Sequence, residues 1–153
     1  DCSIGNNVTM TNGATLAGHC EVGDYVGIGG LSAIHQFSRI GNNAFIAGGS
    51  MILGDVVPYA MVGGNRATLR GMNVIGMKRQ GVPHSEILKL RRAYKRLFDR
   101  SATLAENMEI VRKEFADSVY AMRVVDFLAA RGKRQFVLPP VRGGGIADED
   151  GEN

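Results

Sequence analysis

The sequence predicts a mainly β fold, a parallel β-helix built from hexapeptide repeats and followed by an α-helical C-terminal domain. Three observations predict it. From Ile4 every sixth residue is large and aliphatic: Ile4, Met10, Leu16, Val22, Ile28, Ile34, Ile40, Ile46, Ile52. That period stops at Pro58. From Pro83 apolar residues recur instead at three- and four-residue spacing, as on one face of a helix.

Each hexad supplies one short strand whose aliphatic side chain points into a narrow core. Four residues on comes a small or β-branched side chain (Val8, Ala14, Cys20, Val26, Ser32, Ser38, Ala44, Ser50, Val56), sized for a corner. The residue after the aliphatic is often Gly or Ala, and glycine permits turn conformations that a Cβ hinders. Three hexads make a triangular coil of eighteen residues, so residues 4–57 span three coils, about 15 Å tall at the usual strand spacing. An ordinary amphipathic sheet has period two and would scramble this pattern.

The expected divisions are 1–57 as the last coils of the β-helix, 58–82 as an irregular connector with five glycines, 83–142 as the helical domain, and 143–153 as a disordered acidic tail. In the helical domain Pro83 suits a first turn, ahead of Ile87, Leu90, Tyr94 and Leu97. A second helix starts at Thr103, with Glu106 completing a capping box before Leu104, Met108, Val111 and Phe115. A third runs from Ser118 to Ala130 with Met122, Val125 and Ala129 on one face, widened by Phe127 and Leu128, and Gly132 ends it. Stacked repeats need a capping unit at each end. None is visible before Ile4 and the chain begins on Asp1, so the sequence reads as a piece of a longer one.

Charge is unevenly spread. Residues 1–57 carry one basic and four acidic side chains, 58–142 seventeen basic and seven acidic, and 143–153 four acidic and none basic. An acidic partner is therefore expected on the middle segment. No aromatic interleaving or binding motif accompanies the charge, which argues against nucleic acid. No apolar run approaches the ~20 residues of a membrane span, and two cysteines are too few for a disulfide framework. A cytoplasmic setting is expected. Cys2 and Cys20 are read as inert small residues, and His84, at a helix start, as structural.

The runs LAGHCEVGDYVGIGGLSAIHQFSRIG and GDVVPYAMVGGNRATLRGMNVIGMKRQG, with the basic helix KLRRAYKRLF, resemble the acyl-carrier-protein–UDP-N-acetylglucosamine O-acyltransferases, over about residues 1–130. The resemblance implies a left-handed coil, against the usual right-handed crossover, and a homotrimer. It implies transfer of a 3-hydroxyacyl chain from acyl carrier protein to the 3-hydroxyl of UDP-N-acetylglucosamine, the first step of lipid A synthesis. A histidine is the general base in this chemistry. By the family's motif it directly precedes Asp1, which would orient it, so these residues alone are expected to be inactive. Gly18 matches an oxyanion-hole N–H donor. His19, His35 and Gln36 match the sugar-nucleotide and acyl cleft, and Asn73 and Arg79 the nucleotide and its phosphates. Gly48 matches the floor of the acyl groove and, lacking a side chain, implies a long acyl chain. No metal or resident cofactor is expected, because the acyl group arrives on the carrier's phosphopantetheine. Arg91, Arg92, Lys95 and Arg96 cluster within two turns and would dock the carrier's acidic helix, or would simply form a solvated face. Ile75 and Gln80 depart from the family pattern, where an acidic residue and a second arginine are common.

Three other readings stay open from the residues. A related N-acyltransferase of lipid A synthesis should differ in the linker GMNVIGMKRQG. A β-helix zinc hydratase needs three histidines on one metal, and the coils hold only His19 and His35. A scaffold would bind neither UDP-sugar nor acyl carrier.

Overall fold

The structure, a computed structural model, describes residues 1–141; the tail expected at 143–153 lies outside the described residues. Nine two-residue strands repeat every six residues: β1 (Ser3–Ile4), β2 (Thr9–Met10), β3 (Thr15–Leu16), β4 (Glu21–Val22), β5 (Gly27–Ile28), β6 (Ala33–Ile34), β7 (Arg39–Ile40), β8 (Phe45–Ile46) and β9 (Met51–Ile52). They stack in parallel into three faces, β1-β4-β7, β2-β5-β8 and β3-β6-β9. Each residue pairs with the one eighteen places on, as Ile4 with Val22 and Val22 with Ile40. The expected three-sided prism is present.

The repeated aliphatics fill it. Val22, Ile28, Ile34, Ile40, Ile46 and Ile52 are all buried, while first-coil Ile4 and Met10 are 48% and 39% exposed, covered by a following coil but by no preceding one among the described residues. The small corner residues Cys20, Ser32, Ala44 and Ser50 are fully buried, whereas Val56, expected at a corner, is a strand residue bridging Ile40. The glycines work differently from the expectation. Gly5, Gly23, Gly29 and Gly41 are absent from the positive-φ residues; a Cβ on Gly29 would run into the backbone of Ala47 and Gly48 in the next coil. These positions are small because coils approach closely. The left-handed turn sits two residues later, at Asn7, Gly13, His19, Tyr25, Leu31, Phe37, Asn43 and Gly49, with φ between 57° and 76°.

The segment 58–82 is not irregular, which corrects the expected connector. The coil continues past 57: Val56 bridges Ile40, Tyr59 takes the next left-handed corner, and β10 (Ala60–Gly63) pairs in parallel with β8. β10 then forms an antiparallel hairpin with β11 (Thr68–Met72), with a register shift between Met61 and Val62. Helix α1 (Val74–Arg79) follows. The Asn73 carboxamide oxygen accepts from Gly76 N–H at its start. At its end Gly81, at φ 75°, donates to Lys78 O and Val82 to Met77 O, a Schellman closure that buries Met77 and Val82 together.

Helices α2 (His84–Leu97), α3 (Leu104–Glu114) and α4 (Val119–Ala129) lie where the spacing predicted them. Pro83 is the N-cap residue of α2 rather than part of its first turn. The Thr103–Glu106 capping box is formed in both directions. The face of α4 is offset from the expected one: Ala121, Val124, Val125 and Leu128 are buried, whereas Ala129 is exposed.

Two joints hold the helices to the prism. Tyr94, fully buried on α2, donates its hydroxyl to Pro58 O at the end of the last coil. Arg39 on β7 pairs with Asp55 at 2.8 Å, donates to Phe127 O at 3.0 Å, and lies 4.2 Å over the Phe127 ring. Asp55 is 1% exposed and also accepts from Arg39 N–H. Beyond α4 the chain returns to the prism, where Asp55 N–H donates to Gln135 O and Val137 N–H to Asp55 O.

Candidate active site

Gly18, His19, His35 and Gln36 come together. They occupy the corner that follows β3 and β6, on consecutive coils, and the Phe37 N–H donates to Gly18 O at 3.0 Å across them. A Cβ on Gly18 would meet nothing within 4 Å, and its N–H has no acceptor among the described residues. It is an open donor at a surface. The His19 Nε2 lies 4.0 Å from Asp1 Oδ2 on the coil before, so the pair is within electrostatic reach but not hydrogen-bonded. On the coil after, the Phe37 ring stacks on the His19 imidazole, centroids 4.9 Å apart and planes 5° from parallel. The His35 Nδ1 sits 3.1 Å from Gln36 O, which favours the tautomer protonated there. His35 also borders an apolar hollow of ≈ 320 Å³ with Thr15, Ala17, Met51 and Leu53 on the β3-β6-β9 face. Cys20 lies behind this corner, buried, its thiol donating to His35 O, and burial pushes its pKa up.

Asn73 and Arg79 are on a different face. They line a cavity of ≈ 470 Å³ over β2-β5-β8, floored by Thr9, Gly27, Phe45 and Met61 and walled by α1. Within one chain, the residues matched to the substrate site thus fall into two half-sites. Arg79 is exposed at the last turn of α1. Asn73 is 8% exposed, and both ends of its carboxamide are engaged: Oδ1 caps Gly76 N–H and Nδ2 donates to Asn43 O at 2.8 Å. It orients the helix that carries Arg79. Ile75 and Gln80 line the same cavity, and Ile75 is 65% exposed, so the departures fall in the wall.

Gly48 is exposed at the corner after β8, where a Cβ would lie 3.3 Å from Gly30 O. On α2, Arg96 lies 4.0 Å from Asp99, Arg91 and Lys95 are also engaged, and neighbouring Lys89 pairs with Asp117 at 2.9 Å. The basic helix is partly neutralised by its own domain, and Arg92 is exposed. No group of three or more metal-ligating side chains occurs among the described residues.

Sequence reasoning missed Phe37, Tyr25, Phe45 and Met61. A signal for two of them existed. At the third residue after each aliphatic the corner demands φ near 60°, where Asn and Gly are most at ease. His19, Tyr25, Leu31, Phe37 and Tyr59 are the bulky exceptions. Two of these form the stack beside Gly18 and a third lines the cavity.

Known proteins resemble this chain in sequence and in fold. The sequence model of the family described as UDP-N-acetylglucosamine O-acyltransferase, domain 2, matches residues 55–137. An acyl-carrier-protein–UDP-N-acetylglucosamine O-acyltransferase from Rhizobium leguminosarum is 45% identical over 139 residues, covering 91% of this chain and 51% of that protein. One from Mesorhizobium japonicum is 56% identical over 101 residues, 66% of this chain and 36% of the relative. Among solved structures, the UDP-N-acetylglucosamine acyltransferase of Francisella novicida superposes with a TM-score of 0.85 at 32% identity, covering 92% of this chain and 51% of that one. The Arabidopsis enzyme does so with 0.84 at 34%, covering 90% and 50%. The chain spans about half the length of the curated relatives it matches. With its family model covering more than half of its residues, its stacked hexads and its helical domain, this chain belongs to the UDP-N-acetylglucosamine O-acyltransferase family.

Proposed function

We propose that this chain forms the second half of an enzyme that transfers a 3-hydroxyacyl group from acyl carrier protein to the 3-hydroxyl of UDP-N-acetylglucosamine, the first step of lipid A synthesis. The observation that carries the reading is the corner itself. An open Gly18 N–H, the His19 and His35 imidazoles and the Asp1 carboxylate converge on consecutive coils in a chain of this family.

The base is a histidine directly before Asp1, whose carboxylate orients it. Once the base has taken the proton from the sugar hydroxyl, the hydroxyl oxygen attacks the thioester carbonyl. The Gly18 N–H receives the developing oxyanion, a contribution of about 3 kcal/mol in comparable sites. Collapse of the tetrahedral intermediate breaks the C–S bond, and the base passes its proton to the departing phosphopantetheine thiolate, which leaves the ester on the sugar. His19, His35 and Gln36 hold sugar and acyl chain. Arg79, on a helix fixed by Asn73, takes the nucleotide phosphates as a guanidinium fork. Gly48 leaves the acyl groove open for a long chain. Arg92, with Arg91, Lys95 and Arg96, receives the acidic carrier.

The two half-sites on separate faces support a homotrimer of left-handed coils, in which the corner of one copy meets the cavity of the next. Such head-to-tail contacts close into rings. The setting is cytoplasmic, and no described helix is long and apolar enough to cross a membrane. The related N-acyltransferase, zinc hydratase and scaffold readings have no observation in their favour.

The test is acyl transfer to radiolabelled UDP-N-acetylglucosamine from a 3-hydroxyacyl carrier protein. The chain extended upstream to the length of its relatives should turn over, and residues 1–153 alone should not. No transfer by the extended protein would overturn the function; robust turnover by residues 1–153 would overturn the placement of the base.

A further inference from the structure

The corner turn is a backbone requirement that recurs every six residues, and most residue types meet it at a cost. A bulky side chain at φ near 60° is strained by about 1 kcal/mol or more. Asn7, Gly13, Asn43 and Gly49 avoid that cost, whereas Phe37, at φ 63°, does not. Nor does core packing offset it: the Phe37 ring lies outside the prism and the residue is 51% exposed. What its ring touches is His19. The two residues take the same corner conformation one coil apart, which lays the rings face to face with centroids 4.9 Å apart and planes 5° from parallel, an offset stack. Asp1 lies against the imidazole from the preceding coil at 4.0 Å. His19 is therefore bracketed by the coils on either side of it. The His19 side chain is 53% exposed, and the ring stacked on it is that of Phe37.

We propose that Phe37 is a positioning residue that fixes the plane of the His19 imidazole toward the substrate, an inference that rests on the functional reading above. The phenyl face supplies no hydrogen bond and touches no reacting atom. It sets where the imidazole nitrogens point toward the sugar nucleotide, and an ångström of error in such a group is enough to lower kcat/KM strongly.

Two measurements test this, and they fail separately. In residues 1–153, the His19 ring protons should resonate upfield of a free imidazole because they lie over the Phe37 ring. Phe37→Leu should return them to the free position and Phe37→Tyr should keep them upfield. In the chain extended to its relatives' length, Phe37→Leu should lower kcat/KM for UDP-N-acetylglucosamine about tenfold, chiefly through KM. Phe37→Tyr should restore it to within about twofold. If Phe37→Leu does not fold, Phe37→Met is read the same way. Unshifted His19 protons in the unsubstituted chain, or an unchanged kcat/KM in Phe37→Leu while His19→Ala falls, would overturn the positioning role. Full activity in His19→Ala would overturn the functional reading of His19, and the role of Phe37 with it, whatever the ring protons show.

Discussion

In the prism, Ile28, Ile34, Ile40, Ile46 and Ile52 share one environment, each buried by equivalent positions on its own and neighbouring coils. The helical domain instead relies on contacts that occur once: Tyr94 on Pro58 O, Arg39 between Asp55 and Phe127 O, and Asn107 beneath the end of α2. The difference shows where each half is fragile. The prism distributes its stability over a repeat, as stacked-repeat proteins do. The helices depend on a few joints that no repeat duplicates.

Breaking a joint should have the largest effect. Asp55→Ala leaves the Arg39 guanidinium, its side chain only 11% exposed, without its carboxylate, and losses of this kind are about 3–5 kcal/mol. Urea unfolding followed by circular dichroism should register it, and a loss below about 1 kcal/mol would mean that the pair behaves like a surface one.

The next effect separates coils within the prism. Ile46→Ala empties a fully buried site and should cost about 2–5 kcal/mol, whereas Ile4→Ala, at a side chain already 48% exposed, should cost well under half as much. Equal losses would contradict the stacking account.

A smaller effect appears only in alkali. Burial, and secondarily the nearby Tyr59, raise the Tyr94 phenol well above its ordinary value of 10.0. Below that pH both folded and unfolded chains keep the proton. Above it the unfolded chain releases its proton while the folded chain holds on, so the unfolded state gains and stability falls as pH rises. Tyr94→Phe should flatten the decline in unfolding free energy above about pH 10. An unchanged slope would show that other groups set it.

The same contrast explains what was legible in the sequence. Nine aliphatics in register specified the prism, its corners and the coils carrying Gly18, His19 and His35, because a repeat states its rule many times. Helices α2, α3 and α4 were legible from spacing and caps. The hairpin and α1 were not: β10 reads AMVG, its Gly63 is dictated by Ala47 and Arg70 alongside, and α1 is only six residues long. Their cues, Asn73 as a cap and Gly81 as a closing glycine, were present but lay among other glycines. Asn107 of α3 is outside the apolar stripe that the spacing marks, yet it is 1% exposed and donates to Leu97 O and Asp99 O. The division of the site between two faces was hidden for another reason. A residue's face depends on its place in the coil, and the eighteen-residue count is already lost at Val56, which bridges Ile40 sixteen places back, ahead of Asn73 and Arg79.

The most direct test of that division is complementation between copies. Chains extended to their relatives' length and carrying either His19→Ala or Arg79→Ala are each expected to be inactive. If the corner of one copy works with the cavity of the next, mixing the two variants equally before assembly restores about a quarter of the unsubstituted activity, since random pairing leaves that share of sites with both halves intact. No recovery from assembled mixtures would place both halves in one chain and contradict the shared site.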